Sequence, residues 1–229
     1  MLALITPTRR RWNWLAQQAE AVAPQLRDDD RWIIAIDNDR PDSKAIEQIT
    51  RLIGEERLVW LDCSYPRPTP PVACVNHLRN AATALAPPEA DIVEVDDHDL
   101  LTPYALSEIR AALDAGYDYV FGWQHQQALI EGPNGKSYIE CWPDVCHSYE
   151  PGGFERLEID AIGVRGFTRW LWDRLGGWDV RVWPGGDHFF ALRAERIAAR
   201  IVCLEQFLCT VVIDSQGLSG QYRESCATA

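Results

Sequence analysis

The stretch ADIVEVDDHDLLTP, Ala90–Pro103, decides how the chain is read. It opens as a short strand, Asp91 to Val95, whose Ile92, Val93 and Val95 mark it as buried. It then runs straight into Asp96-Asp97-His98-Asp99. Three carboxylates and an imidazole within four residues repel one another unless a cation or hydrogen-bond donors compensate. The apolar strand behind them anchors the cluster, so it is more than a solvated run of charge. Carboxylate oxygens suit Mg2+ or Mn2+, and an imidazole tilts the choice towards Mn2+. The competing reading is an acidic loop that caps a helix starting near Pro103.

Working outward from that strand, the same grammar recurs. Leu2 to Ile5 is an apolar run closed by Thr6-Pro7-Thr8, a buried strand ending in a loop. Arg10 to Leu26 has helical spacing. Trp32 to Ile36 is a second apolar strand, ending in Asp37-Asn38-Asp39. Ser43 to Ile53 reads as a helix stopped by Gly54, and Arg57 to Leu61 as a third strand. A proline-rich loop follows (Pro66, Pro68, Pro70, Pro71), then a helix from Val72 to Leu85. Strand and helix alternate four times with short connections. That predicts an α/β fold, a mostly parallel, Rossmann-like sheet with helices on both faces. In such sheets ligands bind beyond the carboxyl ends of the strands. Three of the four strands end there in polar residues: Thr8-Arg9, Asp37-Asn38-Asp39 and Asp96 to Asp99.

The second half is less regular. Strands are predicted at Tyr117 to Trp123 and Ser137 to Trp142 around a turn at Gly132 to Gly135, and another at Leu157 to Val164. Gly166 to Leu175 reads as a short helix ended by Gly176-Gly177, and Gly186 to Arg196 as a further helix. Apolar runs follow at Ile201 to Leu204 and Cys209 to Ile213. No internal repeat or linker divides the 229 residues, so we read a single domain, 1–229. Residues 1–103 form its regular half, with the alternating strands and helices, and 104–229 its irregular half.

Charge narrows the partners. Thirty-four acidic against 22 basic residues give a net charge of −12, a surface that repels phosphate backbones and anionic lipid at long range. Nucleic acid is therefore a disfavoured partner, although the strip Arg9, Arg10, Arg11 suits a small anion. No run approaches the roughly 18 apolar residues that span a bilayer, and the N-terminus lacks the order of a secretory signal. Seven scattered cysteines without a CxxC pair read as reduced thiols, and the expected location is cytoplasmic.

In order along the chain, LITPTRR (Leu4–Arg10), IIAIDND (Ile33–Asp39), NHLRNAATALA (Asn76–Ala86), ADIVEVDDHDLLTP and GGWDVRVWPGGDHFFALR (Gly176–Arg193) resemble a family 2-type glycosyltransferase of the GT-A fold. The resemblance covers about Leu2 to Arg193. It implies a metal-dependent transfer of a sugar from a nucleotide-diphosphate sugar, with a UDP-sugar favoured, to a hydroxyl of a carbohydrate or other acceptor. By this resemblance Thr8 and Arg9 touch the nucleoside, Asp37 reads the base with Asp39 nearby, and Arg79 sits near the diphosphate. Asp96 and His98 take the first and third places of the Asp-x-Asp metal motif. The register Asp97-His98-Asp99 satisfies the same motif, so Asp97 and Asp99 stand as alternatives, with Mn2+ or Mg2+ as the ion.

The family's Glu-Asp pair is Gly186-Asp187 here. Asp187, at the start of a helix whose dipole favours the ionised form, is the expected catalytic base, with His188 as the alternative. Trp142, Trp178 and Trp183 offer flat faces for a sugar ring or simply pack in the core. No His follows His188, which leaves Asp214 as the candidate C-terminal oxygen ligand, and the Gly- and Ser-rich Ser215 to Gly220 reads as a lid. Two other classes compete. A sugar-phosphate nucleotidyltransferase shares the fold, but no Gly-rich loop follows the first strand. A non-catalytic nucleotide-sugar-binding protein is suggested by the missing Glu beside Asp187.

Overall fold

The computed structural model describes residues 1–37, 39, 42–63, 74–131, 137–156, 159, 162–182 and 185–214. In chain order the elements begin with β1 (Leu2–Thr8), α1 (Trp12–Val22), β2 (Arg31–Asp37), α2 (Ser43–Ile53), β3 (Leu58–Cys63), α3 (Cys74–Leu85), β4 (Asp91–Glu94) and β5 (Asp99–Leu101). They continue with α4 (Ala105–Asp114), β6 (Tyr119–Glu131), β7 (Ser137–Val145), β8 (Arg165–Phe167), α5 (Arg169–Leu175), α6 (Gly186–Arg196) and β9 (Ile201–Asp214).

One sheet runs in the order β3-β2-β1-β4-β8-β6-β9-β5, with β7 paired to β6. The first four strands are parallel, in the 3-2-1-4 order of a doubly wound sheet. Their sequences are continuous apolar runs because both faces are covered. Trp32, Ile34 and Ile36 face α1, α2 and α4 on one side, and Ile33 and Ala35 face α3, α5 and α6 on the other. Each such side chain, fully buried, contributes about 1.5–3 kcal/mol. The helices stop where local chemistry stops them. Asp42 caps α2, its Oδ1 accepting from Lys44 N at 2.9 Å and Ala45 N at 3.2 Å, and Gly54 closes the helix at φ +90°.

The crevice opens between β1 and β4. Their ladder ends at Ile5 and Glu94, whereas β1 continues alongside β2 to Thr8. Pro7, which has no N–H to donate, lies beyond that last β4 pair. Arg10 follows in the left-handed region at φ 59°. With this turn between them, Arg9 reaches towards β2 and Arg11 towards the residues after β4.

The second half departs from expectation in four places. Arg165–Phe167 is a strand, so the helix predicted from Gly166 starts three residues later, where Thr168 Oγ1 accepts from Leu171 N at 3.2 Å. Gly166 leaves room for Ile109 of α4, whose side chain any Cβ there would strike. The runs at 201–204 and 209–213 form one strand, β9, and its register shifts around Trp123 take up the polar Glu205-Gln206 that makes them look separate. β6 continues to Glu131 because its outer part pairs with β7 on one edge and β9 on the other. The predicted strand at 157–164 is not one where it is described: 159 and 162–164 lie in irregular chain leading into β8. The turn at Gly132–Gly135, the proline-rich loop and the Ser215–Gly220 segment lie outside the described residues, as does the side chain of Asp214.

Candidate active site

Residues from β1, β2, β4, α3, β8 and α6 meet at the crevice. Asp97 turns into the β1–α1 connection: its Oδ2 accepts from Thr8 Oγ1 at 2.8 Å and Arg9 N at 3.4 Å, and its Oδ1 lies 3.1 Å from Arg11 Nη1. His98 Nδ1 lies 2.5 Å from the same Arg11 nitrogen and 3.1 Å from Asp97 Oδ1. Burial opposes a charge on His98, but the bond to Asp97 and the charge of Asp99 outweigh it and raise its pKa. The turn itself is pinned by Gln18, fully buried on α1, whose Nε2 donates to the carbonyls of Asp96 at 2.7 Å and Asp99 at 2.8 Å.

Asp96 points the other way. Its Oδ1 accepts from Arg79 Nη2 at 3.1 Å, and a third of the side chain is exposed. Burial works to raise its pKa, yet the charges of Arg79, His98 and Arg165 bring it down to about 2. Asp99 is almost wholly enclosed. Burial, reinforced by Asp96 and Asp97, pushes its carboxyl up to about 7.

Towards β2, Arg9 Nε lies 3.9 Å from Asp37 Oδ2. The carboxylate of Asp39 accepts from Arg10 N at 2.9 Å and Trp12 Nε1 at 3.1 Å, so it secures the entry to α1. The site thus gathers Thr8, Arg9, Asp37, Arg79, Asp96, Asp97, His98 and Asp99, with Asp39 serving from behind.

Beneath them lies a charged network that the sequence did not announce. Glu94, fully buried, forms an ion pair with Arg79 Nε and takes two bonds from Arg165, at 2.5 Å from Nε and 2.8 Å from Nη2. Arg165 Nη1 then lies 3.5 Å from Asp187 Oδ2. Trp178, 2% exposed, lies under both guanidiniums, with its ring centroid 4.7 Å from Arg79 and 5.3 Å from Arg165, and it stacks on Phe190 of α6. It is therefore a floor of the core and not a sugar platform. Trp142 lies half-buried on β7, and Trp183 is outside the described residues. The signal that was missed is plain in retrospect: one acid inside the apolar run of β4 and one base inside that of β8.

Asp187 opens α6 with 30% of its side chain exposed, whereas His188 is turned inward, Nδ1 2.9 Å from the carbonyl of Ile159. The glycine at 186 has a physical reason. A Cβ there would lie 2.8 Å from Asn76 Nδ2, and that amide is committed to the carbonyls of Asp179 and Val182. Asn80, the partner in the Arg79-Asn80 pair, clasps Trp178 through both its N–H at 2.8 Å and its carbonyl at 2.9 Å. Gly177, at φ +77°, leaves space for that clasp.

The acidic cluster does not make a divalent-cation site as it stands. Among the described residues no three His, Cys, Asp or Glu side chains converge as a metal-holding group. Asp97 and His98 are engaged by Arg11, and Asp96 by Arg79.

The fold is shared with solved nucleotide-sugar complexes. A mannosyltransferase from Pyrobaculum calidifontis in complex with GDP-Man and Mn2+ superposes with a TM-score of 0.66 at 15% identity, covering 94% of this chain and 58% of that one. Residues 1–349 of S. aureus TarS in complex with UDP-GlcNAc give 0.65 at 14% identity, over 92% and 58%. The same TarS segment with UDP gives 0.62 at 14% identity, over 94% and 61%. The architecture is GT-A-like. The chain spans about 60% of the length of these three chains and 37% of a longer TarS structure. No protein-family model matches the sequence, and no curated protein does. Among the described residues no helix is long and apolar enough to cross a membrane.

Proposed function

We propose that the chain is a glycosyltransferase of the family 2 type, moving a hexose or N-acetylhexosamine from a nucleotide-diphosphate sugar to an acceptor hydroxyl. The observation that carries the reading is the network just described. It joins Asp96, on the donor side after β4, to Asp187 at the start of α6, across one crevice of a GT-A-like sheet. Asp187 faces that crevice as the base that takes the acceptor's proton. Thr8, Arg9 and Asp37 line the nucleoside end. Arg9 and Arg11 supply positive charge for the departing diphosphate, while Arg79 holds Asp96 in place. Residues 1–103 form the donor half and 104–229 the acceptor half. UDP is the favoured nucleotide, in keeping with the TarS complexes. A cytosolic location belongs to the same reading, supported by Cys141, Cys146, Cys203 and Cys209, which form no disulfide. Because the donor set is not assembled around a cation, no step is assigned to Mn2+ or Mg2+.

The test is a thermal-shift panel of UDP-, GDP- and TDP-sugars, each with Mn2+ and with EDTA, followed by assay of nucleoside diphosphate release. One nucleotide series is expected to stabilise the protein by about 2.7 kcal/mol at a hundredfold excess over Kd. It should do so in EDTA as well, and its sugar should be transferred. Stabilisation confined to Mn2+ would mean that Arg11 yields its place to the ion. Binding without release under any condition would make the protein a binding module. Pyrophosphate from an NTP and a sugar phosphate would make it a nucleotidyltransferase.

A further inference from the structure

We propose that Arg165 is the positioning residue of the catalytic centre: fixed by Glu94 through two hydrogen bonds, it holds the Asp187 carboxylate at the mouth of the crevice. The proposal rests on the reading of Asp187 as the base.

Three observations carry it. Arg165 is 1% exposed on a three-residue strand wedged between β4 and β6, a place where a lone cation is very costly without a partner. Glu94 is its partner, opposite in register on β4, and binds it side-on in the bidentate geometry that only a guanidinium satisfies. One nitrogen is left over from that bond. Nη1 donates to the Ile162 carbonyl at 3.2 Å and lies 3.5 Å from Asp187 Oδ2. Glu94 alone would be neutralised by Arg79, whose Nε already pairs with it. A second buried guanidinium is surplus to neutralising Glu94, and the nitrogen Glu94 does not take lies beside Asp187. Asp187 stands on the first turn of α6, and among the described residues its one ion pair is with Arg165.

The test is Arg165→Lys in the full chain. Lysine keeps the charge beside Glu94 but has no second arm for Asp187. With the nucleotide sugar from the panel that the wild-type protein turns over, kcat is expected to fall about 10- to 100-fold while donor KM stays within about threefold. On the Asp187→Asn background the same change should alter the residual rate less than about twofold, because the carboxylate it would orient is gone. A wild-type kcat in Arg165→Lys, an equal loss on both backgrounds, or a loss confined to donor KM overturns the proposal. Wild-type turnover in Asp187→Asn instead overturns the reading of the base. If Arg165→Lys does not fold, Arg165→Met with Glu94→Gln removes both charges together, and the same split and the same lack of additivity are expected of it.

Discussion

β4 and the outer half of β6 illustrate two ways of making a strand. β4 is four residues long, buried over its last three, and carries Glu94 in its core. The outer half of β6, from Gln124 to Glu131, is long, and its side chains from Gln124 to Ile130 are mostly half-buried. Its polar partner is at the surface: His125 Nδ1 lies 2.8 Å from Asp144 Oδ1, both 44% exposed. A charge in the first setting has no water to fall back on and must be matched. In the second it is optional. Three such compulsory charges, Glu94, Arg79 and Arg165, lie directly beneath the crevice, whereas the β6–β7 ribbon is left to tolerate exchange.

The contrast breaks most easily at Glu94. Glu94→Ala leaves two guanidiniums facing each other in the core and is expected to cost about 3–5 kcal/mol in a denaturant titration. A loss under about 1 kcal/mol would mean that the network is wet and its partners dispensable. Gly186→Ala comes next. The added methyl group meets an Asn76 amide tied to two carbonyls, so overpacking of about 1–3 kcal/mol is expected, and an unchanged midpoint would show that Asn76 moves freely. Asp144→Ala, on the ribbon, should change stability by less than about 1 kcal/mol. A larger loss there would erase the distinction between the two regions.

The same contrast explains what could be read in advance. β1, β2 and β4 are legible because burial on both faces demands continuous apolar runs, and their polar ends mark the crevice. Helix ends are legible where a cap decides them, as at Gly54 and Gly176. The short β5 was missed because its Asp99-Leu100-Leu101 reads as the tail of an acidic loop, and its pairing with β9 is more than a hundred residues away. β8 is not legible because three residues carry no period. Of the site, Asp96 and Asp187 are picked out by motif order, and the structure links the two through Arg79, Glu94 and Arg165. Glu94, Arg165 and Gln18 do not follow, because each draws its meaning from a partner at least 70 residues distant. The Mn2+ expectation comes from the density of acids in four residues; what the sequence does not show is that Arg11 lies against Asp97 and His98, and Arg79 against Asp96.

The central claim is that Asp187 acts on the acceptor and not on the donor. Turnover of Asp187→Asn, measured beside its donor affinity by calorimetry on the same soluble preparation, tests it most directly. Asparagine keeps the size of the side chain and a hydrogen-bonding oxygen towards Arg165, so the fold is spared. The account predicts donor affinity within about threefold of wild type and turnover lower by about 10²- to 10⁴-fold. Wild-type turnover, or a loss of donor affinity as large as the loss of rate, would contradict it.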